Sequence, residues 1–503
     1  MKKPSSVRFW VLSFLSVFTC HTLVADESSA AKAFDALKSS PPQLRHFLLH
    51  MPKGADLHNH LAGAIYAESF IKWAAEDGKC VDLTTHQITR APCDVEENRP
   101  PVSHIENDAD IVNKIIDGFS TRNYNRRPIS GHNQFFATFA RFSAAAVGRE
   151  GDMIAEAAIR AAAQNIGYLE LMQSEGMVAA MILAAQLDLS QSVTQLRNNP
   201  ELEKLVANTL KKLDDIEFKQ RQVMGCKDNS DNPGCHVTVR YLAQVIRTLP
   251  PNQVYAQTLL AAMLINADKR YVGLNFVAPE DHPVTLRDHS QQMHFIAAAT
   301  EFLPEEKRLI SLHAGELTMG LVAPEHLGKH IREAIEIAGA KRIGHGIDIT
   351  YDPNFPELMR RMSAQNIAVE INLTSNDVIL GVTGPDHPLP TYRKYGVPVT
   401  LNTDDEGVSR IDLTHEYQRL VATYGLSYPE LKKISRNGLA YSFLSGTSLF
   451  TLPVTGKVVK ECKRTQPGAQ SPDETCANFL NSSDKAEHQW QLEARFKSFE
   501  AMY

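Results

Sequence analysis

Short strand-like segments recur along this chain. Between them lie longer stretches in which apolar residues fall three and four apart. The segments cover 55–60, 167–172, 237–246, 271–277, 309–313, 342–346, 368–373 and 398–402, and they predict strands. The longer stretches, alanine-rich at 153–165 and 255–267 and amphipathic at 330–338 and 354–365, predict helices. Strand alternating with helix implies a parallel sheet, and eight such units imply a (β/α)8 TIM barrel with insertions. An open doubly wound sheet is the rival, but no G-x-G-x-x-G follows any of the eight strands.

Three segments fall outside the repeat. Residues 31–50 are expected to form a helix ending at Met51-Pro52. Residues 79–133 are polar and follow the first strand, where barrel loops cover the C-terminal face, so they are expected to form a lid. Residues 453–484 are again polar and precede a final helix at 485–502. The organisation is therefore a leader (1–25), an N-terminal helical segment (26–50), the barrel (51–452, with the 79–133 insertion) and a C-terminal extension (453–503).

The leader reading rests on Lys2, Lys3 and Arg8 before an apolar run, followed by Leu23-Val24-Ala25. That order is a secretory signal peptide, too short to span a bilayer comfortably, with an uncleaved anchor as the alternative. The expected location is secreted or periplasmic, with no stable membrane association after signal cleavage. The full chain carries a net charge of −6, and loss of the leader's three cations makes it −9. Binding to a phosphate backbone calls for a basic surface, so nucleic acid is not an expected partner. Six cysteines remain beyond the leader and fall into local pairs around polar loops: Cys80/Cys93, Cys226/Cys235 and Cys462/Cys476. Adjacent disulfide bonds are expected in an exported protein, six free thiols being the alternative. A zinc ribbon would need C-x₂-C spacing, which is absent.

The polar residues of interest sit at strand ends. In Asp56-Leu57-His58-Asn59-His60 the two histidines alternate along a strand and so face the same way, as a metal pincer requires. The fifth strand ends in His313-Ala314-Gly315-Glu316, the sixth in Gly344-His345-Gly346 and the eighth in Thr403-Asp404-Asp405. Each fragment alone reads equally well as a cap or a satisfied buried group. Adjacent acids repel, so burying Asp404 and Asp405 together needs a cation or a proton. Phe135, Phe136 and Phe139 fall at helical spacing, which favours core packing over a pocket wall.

These motifs, MPKGADLHNHLAGA (51–64), SLHAGE (311–316), RIGHGID (342–348), VEINLTSN (369–376) and HPLPTYRKYGVPVTLNTDD (387–405), resemble the adenosine deaminase family of the amidohydrolase superfamily. The leader and the cysteine-bearing insertion are similar to its exported, growth-factor-like branch. The resemblance covers about residues 45–450. It implies one zinc ion held by His58, His60, His313 and Asp404. It also implies that Glu316 handles the proton at purine N1, that His345 orients and helps deprotonate the zinc water, and that Asp405 meets N7. The implied reaction is hydrolysis of adenosine or 2′-deoxyadenosine to the inosine product and ammonia. Zinc is preferred to cobalt or iron only through the resemblance, since three histidines and an aspartate do not select it alone.

Two positions depart from the family pattern. Ala278 stands where a glycine backbone approaches purine N3. Glu406 follows the paired aspartates where proline is common, and an acid expected at the sugar rim argues against a 5′-phosphate unless the nearby Arg410 compensates. Two alternatives stay open: an amidohydrolase for another aminopurine nucleoside, and a nucleoside-binding or signalling factor on a deaminase scaffold. The H-x-E…P-C-x-x-C signature of cytidine-type deaminases is absent. The sequence carries no signal for oligomeric state.

Overall fold

The computed structural model describes residues 26–187, 191–227, 231–454 and 456–503, so the leader expectation falls outside it. Ten strands are described: β1 (Gly54–His60), β2 (Cys80–Asp82), β3 (Gln87–Thr89), β4 (Ile166–Gln173), β5 (Thr238–Ile246), β6 (Tyr271–Val277), β7 (Ser311–Ala314), β8 (Arg342–His345), β9 (Ala368–Ile371) and β10 (Val399–Leu401). All but β2 and β3 run parallel, as β1-β4-β5-β6 and β7-β8-β9-β10. Single parallel bridges, Leu274 to Ile310 and Asn59 to Asp404, join the two halves into a closed barrel. At the second seam the His60 N–H donates to the Asp404 carbonyl and the Asp404 N–H to the His58 carbonyl, each at 2.9 Å. The strand that brings Asp404 is thus stitched to the strand that brings the histidines. The eight barrel strands match the eight strand-like segments.

A chain of charges crosses the barrel interior. Arg342 on β8 donates to Glu170 on β4 at 2.5 Å and to Glu370 on β9, and its guanidinium lies over Phe443 at 3.6 Å. All three charged residues are buried. Removing one member would leave a charge uncompensated, at a cost of about 3–5 kcal/mol.

The final helix, Asp484–Glu500, closes the end of the barrel where the strands begin. Its Leu492 and Arg495 pack on Gly54 and Gly167, where a β-carbon would come within 3.4 Å and 2.7 Å of them. The N-terminal stretch is two helices, Glu27–Leu37 and Pro41–His50, and not the single helix expected. Ser40 has extended backbone and Pro41 starts the second helix, since a proline lacks the N–H needed to continue the first. Phe34 and Phe47 from this pair meet Tyr428 and Phe499. The three disulfides, Cys80–Cys93, Cys226–Cys235 and Cys462–Cys476, join neighbours as expected.

Candidate active site

His58 and His60 leave the end of β1 on the same face, His313 lies on β7, and Asp404 follows β10 in left-handed backbone (φ 61°). Each histidine is oriented by an oxygen acceptor at Nδ1: Glu370 for His58 (2.7 Å), Gln244 for His60 (2.6 Å) and Asn275 for His313 (2.8 Å). With Nδ1 turned to that acceptor, Nε2 is the atom left for a metal, which would displace any proton on it. Those nitrogens converge: His58 Nε2 and His60 Nε2 lie 3.1 Å and 3.3 Å from His313 Nε2, and 3.3 Å and 3.2 Å from Asp404 Oδ1. Four electron-rich atoms this close repel unless a proton or a cation sits among them. A tetrahedral ion with bonds of about 2.0–2.1 Å has ligand–ligand edges of about 3.3–3.4 Å. The donor set therefore fits a single divalent metal.

The electrostatics follow from burial. Hydrogen bonds from His58 and His60 hold Asp404 well below the usual carboxylate range, although burial alone would raise it. His58 is pushed up to about 10, because Asp404 and Glu370 outweigh the cost of burying its charge. Burial, reinforced by His58, drives His313 well below the normal histidine value. Burial and then the Asp404 charge raise Asp405 well above its normal value. Glu316 is raised likewise by burial, then by Asp404 and Glu280. Its turn is fixed by Glu280, which accepts the N–H groups of Gly315 (2.9 Å) and Glu316 (2.8 Å).

A cavity of about 900 Å³ opens beside this cluster, lined by His60, His313, Glu316, Asp404, Asp405 and Ala278 among others. Asp405 Oδ1 is buried without a partner, and it occupies the space a side chain at Gly63 would fill, since a β-carbon there would lie 1.5 Å from it. Ala278 has φ 95°, a conformation that favours glycine, and its carbonyl accepts from Arg247 Nε at 2.9 Å. His345 is fully buried behind the centre, with Nε2 3.8 Å from Asp404 Oδ2 and Nδ1 3.4 Å from Glu316 Oε1.

Several expectations need correction. Glu406, expected at the sugar rim, is buried and does not line the cavity; it is held by Arg160 Nε at 3.0 Å and Gln164 at 3.4 Å. Helix Glu406–Ser409 turns its side chain toward helix Glu150–Ala163, where that arginine supplies the countercharge. Arg410 pairs instead with Glu68 at 2.6 Å. None of residues 79–133 lines the cavity; the segment packs against helix Gly131–Ala146, which itself supplies a wall. That wall is Phe135, Phe136 and Phe139, so the stripe both packs on the core and faces the cavity. A second stretch of the lining, between Ser174 and Ile182, gave no signal in the sequence.

A parallel barrel with such a donor set at its strand ends defines a metal-site barrel of the amidohydrolase kind. The family model described as adenosine deaminase matches residues 153–449, and the chain belongs to that family. Adenosine deaminases of Shewanella loihica and Pectobacterium atrosepticum are each 40% identical to it, over 132 and 137 residues. Those matches cover 25% and 27% of this chain and 39% and 37% of theirs, so the chain spans under two-fifths of the length of the curated relatives it matches. Among solved structures, an adenine deaminase from Arthrobacter aurescens aligns with TM-score 0.50 and 19% identity over 78% of this chain and 94% of that one. Arabidopsis ADAL complexed with GMP aligns with TM-score 0.51 and 17% identity, over 80% and 94%. These two likenesses speak for the shared fold.

Proposed function

We propose that this protein is a zinc-dependent deaminase that hydrolyses the 6-amino group of adenosine or 2′-deoxyadenosine, releasing the 6-oxopurine nucleoside and ammonia. The observation that carries the reading is the convergence of three imidazole Nε2 atoms and one carboxylate beside a cavity that also holds two carboxyl groups with raised pKa. Zinc held by His58, His60, His313 and Asp404 would act as a Lewis acid and lower the pKa of a bound water.

The chain's own groups supply the rest. Protonated Glu316 delivers its proton to N1, which drains electron density from C6 and opens that carbon to attack by water. Protonated Asp405 donates to N7, an acceptor that an ionised carboxylate would repel. The backbone at Ala278 faces the N3 edge, and Phe136 and Phe139 exclude water from the base. Water adds its oxygen to C6, the C6–N bond breaks, and of the water's two protons one leaves on the amino group as ammonia while the other restores protonated Glu316.

A nucleoside fits better than a nucleotide. Lys212 is the sole lysine or arginine among the described cavity-lining residues, and Glu175 already pairs with it at 2.7 Å. Three disulfides suit an oxidising compartment, which supports secretion or export to a periplasm.

Purified metal-loaded protein incubated with adenosine should lose the adenine absorbance band and release ammonia, and a chelator should stop it. Absence of conversion by the loaded protein contradicts the proposal.

A further inference from the structure

A buried hydrogen-bond chain leads away from His345 on the side opposite the metal-ligating cluster. Asn376 Nδ2 lies 2.9 Å from His345 Nδ1, Asn376 Oδ1 lies 3.1 Å from His387 Nε2, and the backbone N–H of Leu389 lies 3.1 Å from His387 Nδ1. His345 and Asn376 are fully buried and His387 is 2% exposed. Ring tautomers and amide orientations are ordinarily ambiguous. Here one end is anchored by a group whose polarity is fixed, because a backbone N–H only donates.

The polarity then propagates. His387 Nδ1 must accept from Leu389, so a neutral His387 carries its proton on Nε2. Burial lowers His387 to about 4, which keeps the ring neutral at ordinary pH. Its Nε2–H needs an acceptor, which fixes Oδ1 of Asn376 toward it and Nδ2 toward His345. An amide nitrogen donates, so His345 Nδ1 accepts. The opposite arrangement, with His345 giving an Nδ1 proton to Glu316 Oε1 at 3.4 Å, would turn Asn376 Nδ2 onto His387 Nε2. His387 would then accept at both nitrogens, which a neutral imidazole cannot do.

We infer that Asn376 and His387 are positioning residues that hold His345 in its Nε2–H tautomer, so that His345 offers a hydrogen-bond donor to the reaction centre and not a base. The buried Nε2, which has no partner among the described residues, is the end of the chain that faces Asp404. The tautomer stands independently of the deamination reading. Its consequence rests on that reading: His345 orients the attacking water and stabilises negative charge on its oxygen, and it does not remove the proton.

Long-range proton–nitrogen NMR of the zinc-loaded protein with ¹⁵N-labelled histidine tests this without any turnover, His345 being assigned by the signals lost in His345→Gln. The expected spectrum shows His345 with an unprotonated Nδ1 and a protonated Nε2. Asn376→Asp, which puts an acceptor in place of the donor, should reverse the pattern. His387→Gln keeps an acceptor for Leu389 and a donor for Asn376 and should preserve it. His387→Phe should give mixed tautomers and, in an active enzyme, a kcat lower by about 10–100-fold with KM little changed. An Nδ1–H or doubly protonated His345 in the wild-type protein overturns the inference even if every variant fails to fold. A pattern unmoved by Asn376→Asp overturns it as well. If deamination fails and the Nε2–H tautomer is found, only the proposed function falls.

Discussion

Glu370 Oε2 lies 2.7 Å from His58 Nδ1, and this contact turns the other ring nitrogen of His58 to within 3.1 Å of His313 Nε2. Glu370 is itself held by Arg342 and by the Ser311 hydroxyl at 2.8 Å, and its carboxyl is lowered to about 2: Arg342 and His58 favour the charge against the opposing effect of burial. The orientation of a ligand at the rim thus depends on charges in the middle of the barrel. Glu370→Gln keeps the shape and removes the charge. Metal affinity should fall about 10–100-fold, as is typical when an outer partner of a ligating histidine is lost. Competition against a chromophoric chelator measures this, and an unchanged affinity would show that the contact does not tune the ligand.

Metal binding should release a proton. His58, raised to about 10, is protonated at neutral pH when no metal is bound, and a ligating nitrogen must give that proton up. Uptake of one ion between about pH 7 and 9 should therefore release about one proton from His58, and affinity should rise about tenfold per pH unit until the pH passes about 10. The sign for the metal-free fold is the reverse. A raised folded pKa contributes stability that is fully present below the unfolded value of about 6.5 and lost as pH rises through about 10. Calorimetry in buffers of different protonation enthalpy counts the protons, and zero release would contradict the assignment.

On the proposed reaction, Glu316→Gln removes the proton donor and leaves the four proposed ligands intact. Turnover of adenosine should fall about 10²–10⁴-fold with metal content unchanged. A nucleoside-binding factor without catalysis would show no loss in whatever it does, so kcat measured beside metal content separates the two readings.

The barrel was legible because short strand-like segments alternate with helical stretches and several end in chemically conspicuous residues: His58 and His60 on one, His313 and Glu316 on another, Asp404 and Asp405 on a third. The residues that orient the ligands were present in those segments but silent. Asn275 and Glu370 are single polar residues inside otherwise apolar strands, Gln244 follows the apolar pair Leu242-Ala243, and inward polarity of that kind is the signal that could have found them. The pairing of Glu406 with Arg160 was not legible, because the two lie 246 residues apart in sequence and no local pattern reports such a contact. The Phe135 to Phe139 stripe was ambiguous for a different reason: helical spacing fixes which side chains share a face, and the cavity and the core lie on the same side of that helix. The break at Ser40-Pro41 was readable from proline alone, and the helical periodicity on both sides masked it.

The most direct test is an anomalous-scattering map of zinc-loaded crystals collected on both sides of the zinc absorption edge. One peak per barrel is expected, about 2.0–2.1 Å from Nε2 of His58, His60 and His313 and at a comparable distance from Asp404 Oδ1. A peak elsewhere, or none at full zinc loading, would contradict the claim that these four groups hold a single ion.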